Sequence, residues 1–69
     1  MPRRNEAVLV EVTSVTVQRG DVITIGGLPC RVMDLITLPA RAKRLRFTSG
    51  ETLTMHPNTR LSALRAARR

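Results

Sequence analysis

The segment Gly20–Leu35, GDVITIGGLPCRVMDL, constrains the fold more than any other part of the chain. Asp21–Ile25 is β-branched at four of its five positions, and such side chains suit a pleated, half-buried surface. Gly26-Gly27 then supplies the two positive φ angles that a tight hairpin loop demands. From Cys30 to Leu35 the chain returns as a second strand, with Cys30, Val32 and Asp34 on one face and Arg31, Met33 and Leu35 on the other. Pro29 has no N–H and belongs at the entry to that strand, where no ladder bond is needed.

The flanking segments are also β-prone. Ala7–Gln18 (AVLVEVTSVTVQ) puts Val8, Val10 and Val12 on one face, while Val15 and Val17 fall on the other. The phase slips near Thr13-Ser14, as at a bulge or bend. Arg19-Gly20 is a turn, and Asp21 is expected to hydrogen-bond the backbone of that turn. Pro39–Ala42 breaks the pattern as a loop. Lys43–Met55 is a second hairpin around Ser49-Gly50, with Leu45, Phe47, Leu53 and Met55 inward and Arg44, Arg46, Thr52 and Thr54 outward. Phe47, the sole aromatic residue, is expected at the centre of the core. Asp34 shares a face with Val32, so it is either half-buried against an arginine or its face is the outer one.

The C-terminal stretch fits more than one state. Asn58 or Thr59 can cap a short helix carrying Leu61 and Leu64 on one stripe and Arg65, Arg68 and Arg69 on another. Residues 60–65 fit a closing strand or a 3₁₀ turn equally well, with a basic end beyond. Five short strands without a firm helix predict an all-β, five-stranded small barrel over residues 7–65. A flexible arm, 1–6, precedes it and a basic tail, 66–69, follows. Closure would remove the apolar sheet edges.

Length and composition narrow the function. A chain of 69 residues makes one domain and offers no deep catalytic cleft. It buries only about 60% of its unfolded surface, so its stability is a few kcal/mol unless copies associate. Cys30 and His56 are the only residues of their kinds, which leaves no disulfide, multi-cysteine zinc site or nucleophile–base pair. Neither enzymatic activity nor a metal or cofactor is therefore expected. The start, MPRRNEAV, is not a signal peptide, and no run reaches about 20 apolar residues, so a soluble, cytoplasmic protein away from membranes is expected.

Charge is more informative. The chain carries a net +7, and residues 1–40 are balanced: the excess lies entirely in residues 41–69. Arg41, Lys43, Arg44 and Arg46 fall within six residues, and Arg60, Arg65, Arg68 and Arg69 follow. A neutral half and a basic half suit a surface turned toward a polyanion, and arginine matches phosphate bidentately. These eight residues are the candidate nucleic-acid contacts. With no Trp or Tyr and Phe47 required inside, no platform exists for stacking single-stranded bases, so duplex DNA or structured RNA is the expected partner. The competing possibility is an assembly module of the phage or plasmid structural type. It would pair with a copy of itself, or with another protein, through a barrel edge or the Val8/Val10/Val12 face.

The run Gly20–Ile23, then Gly27–Val32, Pro39–Arg41 and Leu45–Gly50 resembles the SH3-like, KOW-like barrel that forms the N-terminal domain of the bacterial elongation factor P family. The resemblance spans roughly residues 17–55. It implies a small barrel with a basic loop and a tendency to bind nucleic acid. Two departures limit what it carries over. The family's loop presents a glycine-flanked, modified lysine, whereas this loop is shorter, lacks glycine, and has Arg41 there with Lys43 two residues on. The oligonucleotide-fold domains that follow in the family are not present in this sequence. Translation-factor activity is accordingly not implied.

Overall fold

A computed structural model describes residues 7–66; the expected arm, 1–6, and residues 67–69, with Arg68 and Arg69, lie outside the described residues. Six strands form: β1 (Ala7–Val12), β2 (Val22–Ile25), β3 (Leu28–Thr37), β4 (Lys43–Phe47), β5 (Thr52–Met55) and β6 (Leu61–Ala66). They make a single sheet in the order β1-β6-β2-β3-β4-β5, with every neighbouring pair antiparallel. The β2–β5 segment is a meander, and β6 crosses back to lie between β1 and β2.

The all-β expectation holds, but the sheet has six strands rather than five and is not closed: among the described residues, β1 and β5 are unpaired edges. The sheet nevertheless coils. Val12 from one edge strand and Met55 from the other join the same buried cluster, with Val17, Ile23, Val32, Leu45, Phe47 and Ala63. Phe47 is almost fully buried at its centre, and such burial stabilises the fold by about 2–3 kcal/mol.

Local chemistry explains the elements. Gly26 (φ 59°) and Gly27 (φ 83°) form the two-residue β2–β3 loop between paired Ile25 and Leu28. Pro29 faces Thr24 at the start of β3, before pairing with β4 begins at Val32, so its missing N–H leaves no gap in a ladder. In β4, Leu45 and Phe47 are buried while Arg44 and Arg46 are exposed, and β5 buries Met55 and exposes Thr52 and Thr54, as the alternation predicts.

Two sequence expectations are corrected. The first strand ends at Val12 rather than running to Gln18. The Thr16 and Val17 N–H groups both donate to the Thr13 carbonyl, and the Thr16 hydroxyl accepts from Thr13 N–H at 2.8 Å. This turn brings Val17 back onto the same core as Val12 and leaves Val15 exposed, so the two valines do not occupy opposite faces.

The second correction concerns β3. A bulge between Val32 and Asp34 inserts one residue opposite β4 and reverses the alternation beyond it. Leu35 thereby turns inward, paired with Leu45, while Asp34 is exposed and accepts the Leu35 N–H at 3.0 Å. In the C-terminal stretch the structure selects the strand among the alternatives left open: Leu61–Ala66 is β6, and Ala66 belongs to it rather than to a tail.

Candidate nucleic-acid interface

The basic residues of 41–46 are set by one loop and one strand. Arg44 and Arg46 project from the outer face of β4, flanked by Ile36 and Asp34 on β3 and by Thr54 and Thr52 on β5. Two residues along a strand separate them by about 6.7 Å. Small threonines on one side leave both guanidiniums open to solvent.

Arg41 sits in the turn that feeds β4. Ala40 (φ 62°, ψ 33°) and Arg41 (φ 65°) are both left-handed, a conformation that non-glycine residues adopt at a cost of about 1–2 kcal/mol each. The surroundings hold the turn there. The fully buried Ser14 hydroxyl donates to the Arg41 carbonyl at 2.6 Å, Ala42 N–H donates to Pro39, and Leu38 N–H donates to Ala42. Tying the Arg41 backbone to the Thr13–Val17 turn fixes where its side chain leaves the surface.

Lys43 is half-buried and paired with Met55 and Thr37, so it stands on the core side of β4 at the rim rather than beside Arg44. Arg60 immediately precedes β6, whose first residue, Leu61, pairs with Val12. Arg41 and Lys43 therefore stand at the end of the sheet where β4 begins, and Arg44 and Arg46 continue from that end along its outer face, whereas the β6–β2 register sets Arg60 level with the Gly26-Gly27 loop at the other end of β3.

Arg65, assigned to the same patch from sequence, is placed elsewhere. It lies at the far end of β6, where its Nε and Nη2 donate to the two carboxylate oxygens of Asp21 at 2.8 Å each and Nη2 also donates to the Thr16 carbonyl. Asp21 is nearly fully buried and also accepts the Gln18 N–H at 2.9 Å, the local turn bond foreseen from sequence. Burial alone would raise its pKa, but the bonds from Arg65 and Gln18 and the Arg65 charge outweigh that and hold it below the usual carboxylate range. The Arg65 guanidinium is held charged more firmly in turn, chiefly by its bond to Asp21. The guanidinium of this arginine is thus engaged with Asp21 and the Thr16 carbonyl, while about 30% of its side chain remains exposed. Arg68 and Arg69 lie outside the described residues.

Two arginines absent from the sequence-based set also face outward. Arg31 stands on the outer face of β3 opposite Val22, its carbonyl accepting from Thr48 N–H just beyond β4, and its Nη1 donates to the Gly20 carbonyl at 3.3 Å. With Arg19 and Arg65 it lines a shallow depression of about 350 Å³ around the Gln18–Asp21 turn. Its face was legible from the alternation with Cys30 and Val32. Its place beyond the end of β4 was not, because that depends on long-range pairing.

The one ion pair among the described residues is Arg65–Asp21, so Arg19, Arg31, Arg41, Lys43, Arg44, Arg46 and Arg60 have no carboxylate within salt-bridge reach there. Asp34, opposite Arg46 in register, directs an oxygen to its neighbour's N–H instead. Among the described residues no three His, Cys, Asp or Glu side chains converge on a point where a metal ion could sit. Among the described residues no helix is long and apolar enough to cross a membrane. His56 is exposed in the turn before β6, its carbonyl accepting the Thr59 N–H. Cys30 is half-buried against the core, as a small apolar residue would be. Comparison of the chain with family models, curated proteins and solved structures returns no match.

Proposed function

We propose that this protein is a small, non-enzymatic cytoplasmic module that binds the phosphate backbone of duplex DNA or structured RNA. The observation that carries this reading is the β4 face. Arg44 and Arg46 stand exposed on it with no ion-pair partner among the described residues, and Arg41 and Lys43 stand at the end from which that strand begins. Arg44 and Arg46 on the outer face, with Arg41 and Lys43 at its rim, produce a field that attracts a polyanion and orients it along the strand. Contacts of this kind position a nucleic acid without reading its sequence. Arg31 extends the same face toward the Gln18–Asp21 turn and joins the proposed contact set. Arg65 contributes through the fold rather than through contact. The finer description of the scaffold, an SH3-like, KOW-like barrel, belongs to the same proposal. It draws support from the coiled meander β2–β5 with β6 returning beside β2, to which β1 adds an outer strand.

An amide-resolved NMR titration at physiological salt tests the reading, first with a DNA duplex and then with an RNA hairpin. Shifts confined to residues 41–46, Arg31 and Arg60, fading as salt rises, are the expected result. Absence of shifts with both ligands would reject it.

A further inference from the structure

Among the described residues the open sheet leaves β1 as an uncovered edge of unusual character, and we propose that a second copy of this chain pairs with it. In the resulting dimer, β1 lies antiparallel to its symmetry mate and Leu9 faces the Leu9 of the other copy. Two six-stranded sheets thereby become one continuous sheet.

The first observation is the composition of the edge. Ala7–Val12 carries one charge, Glu11, with Leu9 71% and Val8 44% exposed. Natural sheets blunt their edges with charges, proline, bulges or short strands; β1 has no proline or bulge, and Glu11 near its end is its one charge. On its outer face Leu9 pairs with Leu64, itself 43% exposed. A two-fold axis normal to the sheet would extend this pair into a row of four leucines, Leu64–Leu9 meeting Leu9–Leu64 of the second copy. Cross-strand neighbours of this kind lie about 5 Å apart and close off one another's apolar surface. The same register sets Val8 against Val10 and Ala7 against Glu11, so no like charges face each other.

Charge decides which edge is used. The other edge, β5, is a four-residue strand with outward threonines, followed by His56-Pro57, and it lies directly against the basic β4. Joining copies through β5 would bring two sets of Arg44 and Arg46 together. In the sheet order β6, β2 and β3 stand between β1 and β4, so Arg44 and Arg46 are not carried on the strand next to that edge. Pairing through β1 therefore keeps the basic faces apart.

A chain this short also gains most from burying surface against a partner. The pairing does not depend on nucleic-acid binding.

The test is sedimentation velocity over a wide micromolar range, on full-length protein freed of nucleic acid by nuclease and a high-salt wash. A dimer that persists at high salt is expected. Leu9→Lys places two like charges opposite each other at the two-fold axis and should raise the dimer dissociation constant roughly tenfold or more. Because Leu9 is largely exposed, the variant should keep a dispersed amide spectrum. Thr54→Lys on β5 should leave association unchanged. A wild-type protein that stays monomeric would overturn the proposal. So would a dimer that resists Leu9→Lys, or one that yields to Thr54→Lys instead.

Discussion

Arg65 and Asp21, 44 residues apart in sequence, form a two-point ion pair at 2.8 Å that joins the end of β6 to the turn before β2. The carboxylate is almost inaccessible, whereas about 30% of the Arg65 side chain remains exposed. Removing the cation strands a buried anion, while removing the anion leaves a guanidinium that can reach water. The two halves of the pair are thus unequal. Arg65→Met, which keeps most of the apolar stem, should cost about 2 kcal/mol. Asp21→Asn retains an oxygen for the Gln18 N–H and should cost about 1 kcal/mol. Urea unfolding of the two single variants and the double variant measures both costs and their coupling.

The same pair sets an acid limit on stability. The native Asp21 pKa lies below its ordinary 3.8, so the folded state releases this proton more readily than the unfolded one. Its contribution is therefore fully present above the ordinary carboxylate range and is lost as pH falls through the depressed native value. Stability measured downward from pH about 5 should decline below about 4, and Asp21→Asn should flatten that decline. An unchanged acid limb in the variant would assign it to other carboxylates.

Local signals account for how far the sequence could be read. The two hairpins were legible because Gly26-Gly27 and Ser49-Gly50 separate runs of clean alternation, and β4 shows the same face pattern in sequence and structure. The bulge before Asp34 left no compositional mark, since it is an extra residue rather than an unusual one, and it exchanged the faces of Asp34 and Leu35. Leu61–Ala66 satisfies both a helical stripe and a strand alternation, so only its pairing with β1 and β2 decided the outcome. Within the candidate site, Arg44 and Arg46 were correctly faced by alternation alone. Arg65 was grouped with them because charge is visible in a sequence and a partner 44 residues away is not.

Ala40 offers a test of stored backbone strain. Its left-handed φ of 62° is relieved by glycine, which gains about 1–2 kcal/mol of steric relief and gives back about 0.4–1 kcal/mol of unfolded-chain entropy. Ala40→Gly should therefore stabilise the fold by about 0.5–1 kcal/mol. Ser14→Ala should act in the opposite sense by about 1 kcal/mol, because the Arg41 carbonyl loses its buried donor. Thermal unfolding of both variants gives the signs.

The proposed interface makes a quantitative demand on salt dependence. Arg41, Lys43, Arg44, Arg46 and Arg60 each neutralising one phosphate would give a slope of log affinity against log salt of about −4.5 on a duplex. Arg44→Ala with Arg46→Ala removes two of those charges and should bring the slope to about −3, weakening every sequence alike. Both side chains are exposed and unpaired, so the double variant should unfold at the wild-type denaturant midpoint within error. Replacement by glutamate at both positions reverses the local field and should abolish binding while the fold persists. A slope unchanged by the alanine pair would move the contacts off β4. An unfolded glutamate variant would mean instead that these side chains support the sheet, against their outward register.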